Sequence, residues 1–182
     1  MLRTRGFSML EVMIAVLVVS LGLLGLAGLQ SVGLRNNTAA SQRTVATMLA
    51  YEMADRMRAN GASVLAGDYN YPSYQATAVA GQTTANCLAA AGCTSTQLAL
   101  EDIYEWNQQI CAQLPQSAAC NTAGTAWGVV CVDSTPNDGA PPPGNPACDG
   151  VAGGSYVIKI WWLEDRNDPT LPLKRWVTSF MP

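Results

Sequence analysis

The chain begins with Met1-Leu-Arg-Thr-Arg-Gly-Phe-Ser-Met-Leu-Glu11, and the uncharged segment Val12–Leu29 follows directly. An ordinary secretory signal has a basic start, an apolar stretch of roughly 7 to 15 residues and a small-residue cleavage site after that stretch. Here the well-marked small residue is Gly6, which lies between the basic part and the apolar part. A cut at Gly6 would therefore leave the apolar segment on the mature protein.

The apolar segment predicts a membrane anchor, because its length is close to the ~20 residues that a helix needs to span a bilayer. Arg3 and Arg5 would stay on the cytoplasmic side by the positive-inside rule, so the rest of the chain would cross the membrane. A carboxylate at the centre of a membrane helix costs about 2.5 to 3.5 kcal/mol, and such residues tend to be functional and partnered. Glu11 fits that description, although it can also lie in the headgroup zone, where a charge costs little.

The junction Gly6-Phe7-Ser8-Met9-Leu10-Glu11 resembles the class III signal of type IV prepilins and secretion pseudopilins. In that family a dedicated peptidase cuts after the glycine and methylates the new amino terminus, which here would be that of Phe7. The resemblance also implies that Glu11 of an incoming subunit meets the free amino terminus of a neighbour in the filament. Opposite charges attract strongly in a low dielectric, but desolvation can cancel that gain. We therefore interpret Glu11 first as a group that fixes the position of a subunit relative to its neighbour, and second as a source of binding affinity.

Composition excludes several function classes. Loss of the two leader arginines would take the formal net charge from −3 to −5, which argues against a broad basic surface for nucleic acid. The chain has no histidine, so triads, metal sites and general bases that use histidine are excluded. The carboxylate pairs Glu101/Glu105 and Glu164/Asp165 come with no cleft motif and are interpreted as solvated surface. We expect a protein that is not an enzyme and needs no cofactor.

All six cysteines lie in the part that would cross the membrane, which predicts disulfides in an exported domain. Six cysteines allow fifteen pairings. The nearest-neighbour scheme places each bridge across one loop. No Cys-x-x-Cys spacing occurs, so a zinc site is disfavoured. The predicted bridges are Cys87–Cys93, Cys111–Cys120 and Cys131–Cys148.

The apolar segment continues without a break into a polar one, so we predict one helix over residues 7–60 that is apolar in residues 7–29 and amphipathic in residues 30–60. Asn60-Gly61 is the stop signal. Gly22, Gly25 and Gly28 either permit close helix packing in lipid or make a weak stretch of helix. The predicted core face of the amphipathic half is Val45, Met48, Leu49, Met53 and Met57.

Residues 61–182 predict a periplasmic globular domain. Gly61–Gly92 has no sustained period and suggests an irregular connection. Thr94-Ser95-Thr96-Gln97 resembles a capping box, and a second helix follows with Ile103, Trp106, Ile110 and Leu114 on one face, ending at Pro115. Strands are predicted at Trp127–Val132, Tyr156–Leu163 and Arg175–Phe180. The fold class is thus α+β, with a long N-terminal helix packed on a small antiparallel sheet.

The loop from Asp133 to Gly154 is rich in Pro, Gly, Asn and Asp. Its aspartates Asp133, Asp138 and Asp149 suggest calcium, but their spacing does not follow the EF-hand pattern and favours Asx turns. No metal site is expected.

The globular part resembles PilV-like pilus modification proteins. This resemblance is carried by Cys87 and Cys93, the helix segment Asp102–Trp106, Leu114-Pro115, the strand Val130–Val132 and the strand Ile160–Trp162. Cys111 and Cys120 are additional to that pattern.

The resemblance implies a minor pilin of the type IV pilus, processed by prepilin peptidase/methyltransferase after leader residues 1–6. Its implied location is the inner membrane as a single-pass protein, and after assembly the filament or its tip. The implied partners are other minor pilins, the major pilin and the inner-membrane assembly platform; no nucleic acid is expected. The alternative is a minor pseudopilin of a type II secretion system.

Overall fold

The computed structural model describes residues 6, 8–71, 87, 92–116, 127–140, 145–151, 154–165, 167–168 and 170–181. Within them lie helices α1 (Met9–Ala59), α2 (Gly61–Ala66) and α3 (Ser95–Gln113) and strands β1 (Trp127–Val132), β2 (Tyr156–Trp162) and β3 (Lys174–Phe180). The chain divides into two compact units, Met1–Ser41 and Gln42–Pro182. The predicted α+β class, with its long first helix and small antiparallel sheet, is confirmed, and the architecture fits the type IV pilin fold.

The part of α1 in the second unit buries a narrow stripe of side chains that includes three alanines. Leu49, Met53 and Met57 were predicted to be buried and are. Met48 was predicted wrongly, because it points away from the core and is 64% exposed. The buried positions of this helix are Gln42, Ala46, Leu49, Ala50, Met53, Ala54 and Met57. Alanines four residues apart share one face, and their small size lets the helix backbone approach its neighbours closely.

Helix α1 ends at Ala59, in agreement with the predicted stop at Asn60-Gly61, but the chain forms α2 at once. The expectation of an irregular connection was therefore wrong for Gly61–Ala66. The side-chain amide of Asn60 donates to the backbone oxygen of Ser95 at 2.8 Å and to the hydroxyl of Tyr69 at 3.3 Å. Asn60 thus links the end of α1 to the start of α3.

Helix α3 begins with the predicted capping box. Thr94 Oγ1 accepts from the backbone N–H of Gln97 at 3.2 Å, and Gln97 Oε1 accepts from the backbone N–H of Thr94 at 2.9 Å. The reciprocal pair satisfies two amides that the first turn leaves without partners. The predicted apolar face is confirmed, because all four of its members are buried: Ile103, Trp106, Ile110 and Leu114.

The three strands form one antiparallel sheet in the order β1-β2-β3, with Val130 opposite Ile158 and Ile158 opposite Thr178. The predicted strand limits differ by one residue at Leu163 and at Arg175. Alternate side chains of a strand point to opposite faces. One face of β2 carries Ile158, Ile160 and Trp162, which pack in the main core with α1 and α3. The other face carries Trp161, which forms a second cluster with Val129 and Cys131.

Trp106 lies where α1, α3 and β1 meet. Its side chain is fully buried, and Nε1 donates to the backbone oxygen of Leu49 at 2.8 Å. The backbone of β1 passes directly over the indole, since a Cβ on Gly128 would lie 2.2 Å from two of its ring carbons. Gly128 is therefore required by close approach, and the hydrogen bond from its amide to Asn107 Oδ1 (2.9 Å) fixes the contact.

Candidate processing and assembly site

The expected cleavage junction lies immediately before α1. Gly6 and Ser8 are exposed and non-helical, and the helix begins at Met9. Phe7, like Arg3 and Arg5, lies outside the described residues. An exposed, non-helical backbone is the kind of substrate that peptidases prefer, so the described side of the junction has the accessibility that processing needs.

Glu11 lies exposed in the first turn of α1. Its backbone N–H donates to the backbone oxygen of Ser8 at 3.0 Å and contacts Ser8 Oγ at 3.4 Å. A carboxylate in the first turn interacts favourably with the positive end of the helix dipole. Within the part of the chain that the structure describes, the Glu11 carboxylate has no ion-pair or hydrogen-bond partner.

The apolar half of α1 presents an uncovered hydrophobic surface. Every side chain from Met9 to Leu34 is exposed, and α1 is long and apolar enough to span a membrane. The three glycines Gly22, Gly25 and Gly28 do not interrupt the helix, and apart from the helix's own backbone no atom of the described residues lies within 4 Å of the place where their Cβ would be. An exposed apolar surface of this length is stable in lipid or against other helices, but not in water.

Arg56 joins α1 to α3 through a cluster of carboxylates that the sequence did not reveal. Its guanidinium lies 2.9 Å from Glu52, 2.9 Å from Glu105 and 3.3 Å from Asp102. Asp102 also accepts a 2.5 Å hydrogen bond from the hydroxyl of the fully buried Tyr69. Burial, followed by the hydrogen bond to Asp102, raises the pKa of the Tyr69 hydroxyl well above its ordinary value. This tyrosine therefore stays neutral and acts as a donor.

One member of each carboxylate pair singled out in the sequence is engaged by a cation in the structure. Glu105 contacts Arg56, and Glu164 contacts Lys174 at 2.9 Å. The prediction of solvated surface is wrong for Glu101, which is 8% exposed. Burial first, and then neighbouring carboxylates, raise the pKa of Glu101. Glu105 and Glu164 therefore serve in ion pairs between elements of the domain, whereas Glu101 Oε2 is buried and accepts no hydrogen bond from a described residue.

The aspartates of the loop after β1 bind the loop itself. Asp133 Oδ1 accepts from the backbone N–H of Thr135 at 2.9 Å, which is an Asx turn. Asp138 accepts from the Thr135 hydroxyl at 2.8 Å, and Asp149 accepts from the backbone N–H of Val151 at 3.1 Å. The side-chain hydrogen bonds lower the pKa values of Asp138 and Asp149. Among the described residues no group of His, Cys, Asp or Glu side chains could hold a metal ion.

Two disulfides lie in the described residues, Cys87–Cys93 and Cys131–Cys148. They match two bridges of the nearest-neighbour scheme. Cys111 is also disulfide-bonded, but Cys120 lies outside the described residues, so the third expected bridge is not described. The Cys131–Cys148 bridge closes the loop after β1 against the outer face of the sheet, where Cys148 packs on the Trp161 cluster.

Basic side chains of the globular part are engaged by the protein's own acceptors. Lys174 pairs with Glu164, and Arg175 donates to the backbone oxygens of Asp138 (2.7 Å) and Asn137 (2.5 Å). A stripe of free cations, which a nucleic-acid surface needs, is not formed by these two residues. Arg166 lies outside the described residues.

Comparisons with known proteins agree with this geometry. Residues 1–27 match the family model of the prokaryotic N-terminal methylation motif. Residues 28–104 match a second family model, Tt1218-like, described as type IV pilin Tt1218. No curated protein and no solved structure matches the chain. The two adjacent family matches, the long N-terminal helix with its apolar first half and the small antiparallel sheet together support a type IV pilin that carries the N-terminal methylation motif.

Proposed function

We propose that this chain is a minor pilin that takes part in priming type IV pilus assembly and enters the filament. The observation that carries the proposal is the methylation-motif match over residues 1–27, which contains Gly6, Phe7 and Glu11. Prepilin peptidase cuts between Gly6 and Phe7 and methylates the amino group of Phe7. Residues 1–6 are then the leader, and residues 61–182 form the periplasmic globular domain.

The exposed apolar helix suits both states of such a protein. Before assembly, residues 7–29 span the inner membrane as a single pass. During assembly, the carboxylate of Glu11 pairs with the amino terminus of a neighbouring subunit, and the same apolar surface leaves lipid for other helices. The absence of any partner for Glu11 among the described residues supports this role. Removal from water strengthens the pairing, although its net value depends on desolvation.

The partners are other minor pilins, the major pilin, the peptidase and the inner-membrane assembly platform. A minor role is supported by the PilV-like features of the globular part, which include the Cys87–Cys93 bridge and the strand at Ile160–Trp162. A priming subunit acts at the start of assembly, so the filament tip is the position that this proposal assigns.

The processing step is tested by Gly6→Val, with Gly6→Ala as the matched control. The peptidase has to accept the residue before Phe7 in a confined site, so a β-branched side chain should block cleavage while alanine should still be accepted. Mass spectrometry of the mature amino terminus in a strain with the peptidase gives the readout. A mature chain that begins after Ala27 or near Ser31 would identify an ordinary signal peptide instead.

The assembly step is tested by Glu11→Ala and Glu11→Gln, with Glu52→Gln as a control carboxylate on the same helix outside the apolar segment. Both Glu11 variants should be inserted and cleaved, but should be depleted from sheared filaments or reduce piliation and twitching. If both Glu11 variants enter filaments normally, Glu11 lies in the headgroup zone and takes no part in assembly. Loss of protein secretion with normal piliation in a deletion strain would assign the chain to a type II secretion pseudopilus.

A further inference from the structure

Lys159 is a fully buried lysine on the face of β2 that points away from the helices. Its Nζ lies 2.6 Å from Oδ2 of Asp133, the residue that follows β1, and neither side chain has any exposed surface. Burying two charges costs several kcal/mol for each ion, and an apolar pair of the same size is often as stable. Packing alone therefore does not explain why Lys159 and Asp133 are buried as a pair at this distance.

The contact between the two groups is close but poorly aligned for a hydrogen bond. Oδ2 of Asp133 accepts no hydrogen bond of normal geometry from a described residue, although Nζ is its near neighbour. The other carboxyl oxygen is fixed, because Oδ1 accepts from the backbone N–H of Thr135 at 2.9 Å. The amine thus sits beside a carboxyl group held in one orientation, which is the positioning that makes an intramolecular reaction fast.

A second carboxylate completes the arrangement. Oδ1 of Asp138 lies 3.3 Å from Nζ of Lys159, and this side chain is half exposed. Nζ also donates to the backbone oxygen of Pro146 at 2.8 Å, which aims the end of the lysine side chain. A carboxylate within hydrogen-bond reach of an ammonium group can take up its proton and return it to a leaving oxygen.

We propose that Lys159 and Asp133 form an intramolecular amide bond, with Asp138 as the proton carrier. Asp138 takes a proton from the ammonium group, and the lone pair of Nζ attacks Cγ of Asp133. The Thr135 N–H stabilises the negative charge that develops on Oδ1. Two protons from the ammonium group end on Oδ2, the Cγ–Oδ2 bond breaks, and one water molecule leaves. The N–Cγ bond replaces it, and no oxidant or co-reactant is consumed.

The amide would tie the end of β1 to the middle of β2 by a bond that reductants cannot break. The Cys131–Cys148 bridge begins two residues before Asp133 and closes the same loop. The two cross-links are chemically independent, so the loop keeps its attachment to the sheet when the disulfide is reduced. This inference concerns the globular domain alone and does not depend on the proposed role in assembly.

The direct test is the mass of the full chain, purified from membranes, reduced and alkylated. An amide lowers the mass by one water molecule relative to the sequence of the mature chain. Trypsin gives a second readout, because residues 59–158 contain no Lys or Arg and cleavage after Lys159 releases residues 160–166 as a short peptide. The amide blocks that cleavage. A full mass together with a released 160–166 peptide overturns the proposal and leaves an ion pair.

Substitutions identify which residues form the amide and which residue carries the proton. Lys159→Met should abolish the loss of water, whereas the matched control Lys174→Met, in an ion pair on β3, should retain it. Asp138→Asn should slow or abolish amide formation while leaving Lys159 and Asp133 in place. A loss of water that persists in Lys159→Met overturns the assignment, and fragmentation that maps the link to Asp138 overturns the choice of Asp133. An unchanged yield in Asp138→Asn removes Asp138 as the proton carrier.

Discussion

Gly128→Ala tests whether the contact between β1 and Trp106 holds the globular unit together. The added Cβ would lie 2.2 Å from Trp106 ring carbons and 2.4 Å from Cδ1 of Ile110, far inside contact distance. Overpacking of this kind costs about 1–3 kcal/mol. The indole cannot move without straining its hydrogen bond to Leu49, which adds about 1 kcal/mol. We expect a loss of about 3 kcal/mol in the free energy of unfolding.

The assay is thermal unfolding of the detergent-solubilised chain by circular dichroism. At about 2–4 °C per kcal/mol for a chain of this size, the midpoint should fall by roughly 10 °C. Gly61→Ala is the matched control, because nothing lies within 4 Å of its Cβ position, and its midpoint should not fall. Trp106→Phe removes the ring carbons that the added Cβ would meet. In that background, Gly128→Ala should therefore cost less free energy of unfolding. An equal penalty in both backgrounds would refute the reasoning.

Three further changes probe the ionisable groups and the cross-links. Burial raises the pKa of Glu101, so Glu101→Gln should stabilise the fold near pH 7. This advantage should fade as the pH falls from the raised pKa of the folded state to the ordinary glutamate pKa, and it should be absent at about pH 3. Urea unfolding at about pH 7 and about pH 3 checks this, and a constant advantage would contradict it. Tyr69→Phe removes the donor to buried Asp102 and should cost about 1–3 kcal/mol in the same assay, and no cost would mean that another donor replaces it. Replacing both Cys131 and Cys148 by Ala should cost about 3 kcal/mol on the loop-closure estimate, and an unchanged unfolding midpoint would show that the loop is held by other contacts.

The sequence correctly predicted those helices and strands in which the local sequence signals and the tertiary packing favour the same conformation. The capping box fixed the start of α3, and β-branched and aromatic residues fixed all three strands to within one residue. The core stripe of α1 was harder to place, because alanines such as Ala46 and Ala50 contribute little to a hydrophobic pattern and Met48 contributes much. A stop at Asn60-Gly61 was correct, but the same residues also begin α2, because a stop signal ends one helix without specifying the conformation of the next segment.

The interactions that could not be predicted join residues far apart in the chain. Lys159 sits in an alternating strand, on the face turned away from the helices, where sequence alone suggests solvent. Only the fold of the loop over that face buries it. The link from Arg56 to Asp102 spans 46 residues and depends on how α1 and α3 pack. The methylation motif in residues 1–27 could be recognised from the sequence because it is defined by the linear spacing of its residues.

The way in which the loop after β1 is held has a consequence for sequence divergence. Arg175 binds the backbone oxygens of Asn137, Asp138 and Gly139, and Lys159 binds that of Pro146. A main-chain oxygen is present whatever side chain its residue carries, so Arg175 and Lys159 can hold this part of the loop through its backbone. Substitutions at exposed positions such as Asn137 and Ala140 therefore leave these main-chain contacts with the sheet in place.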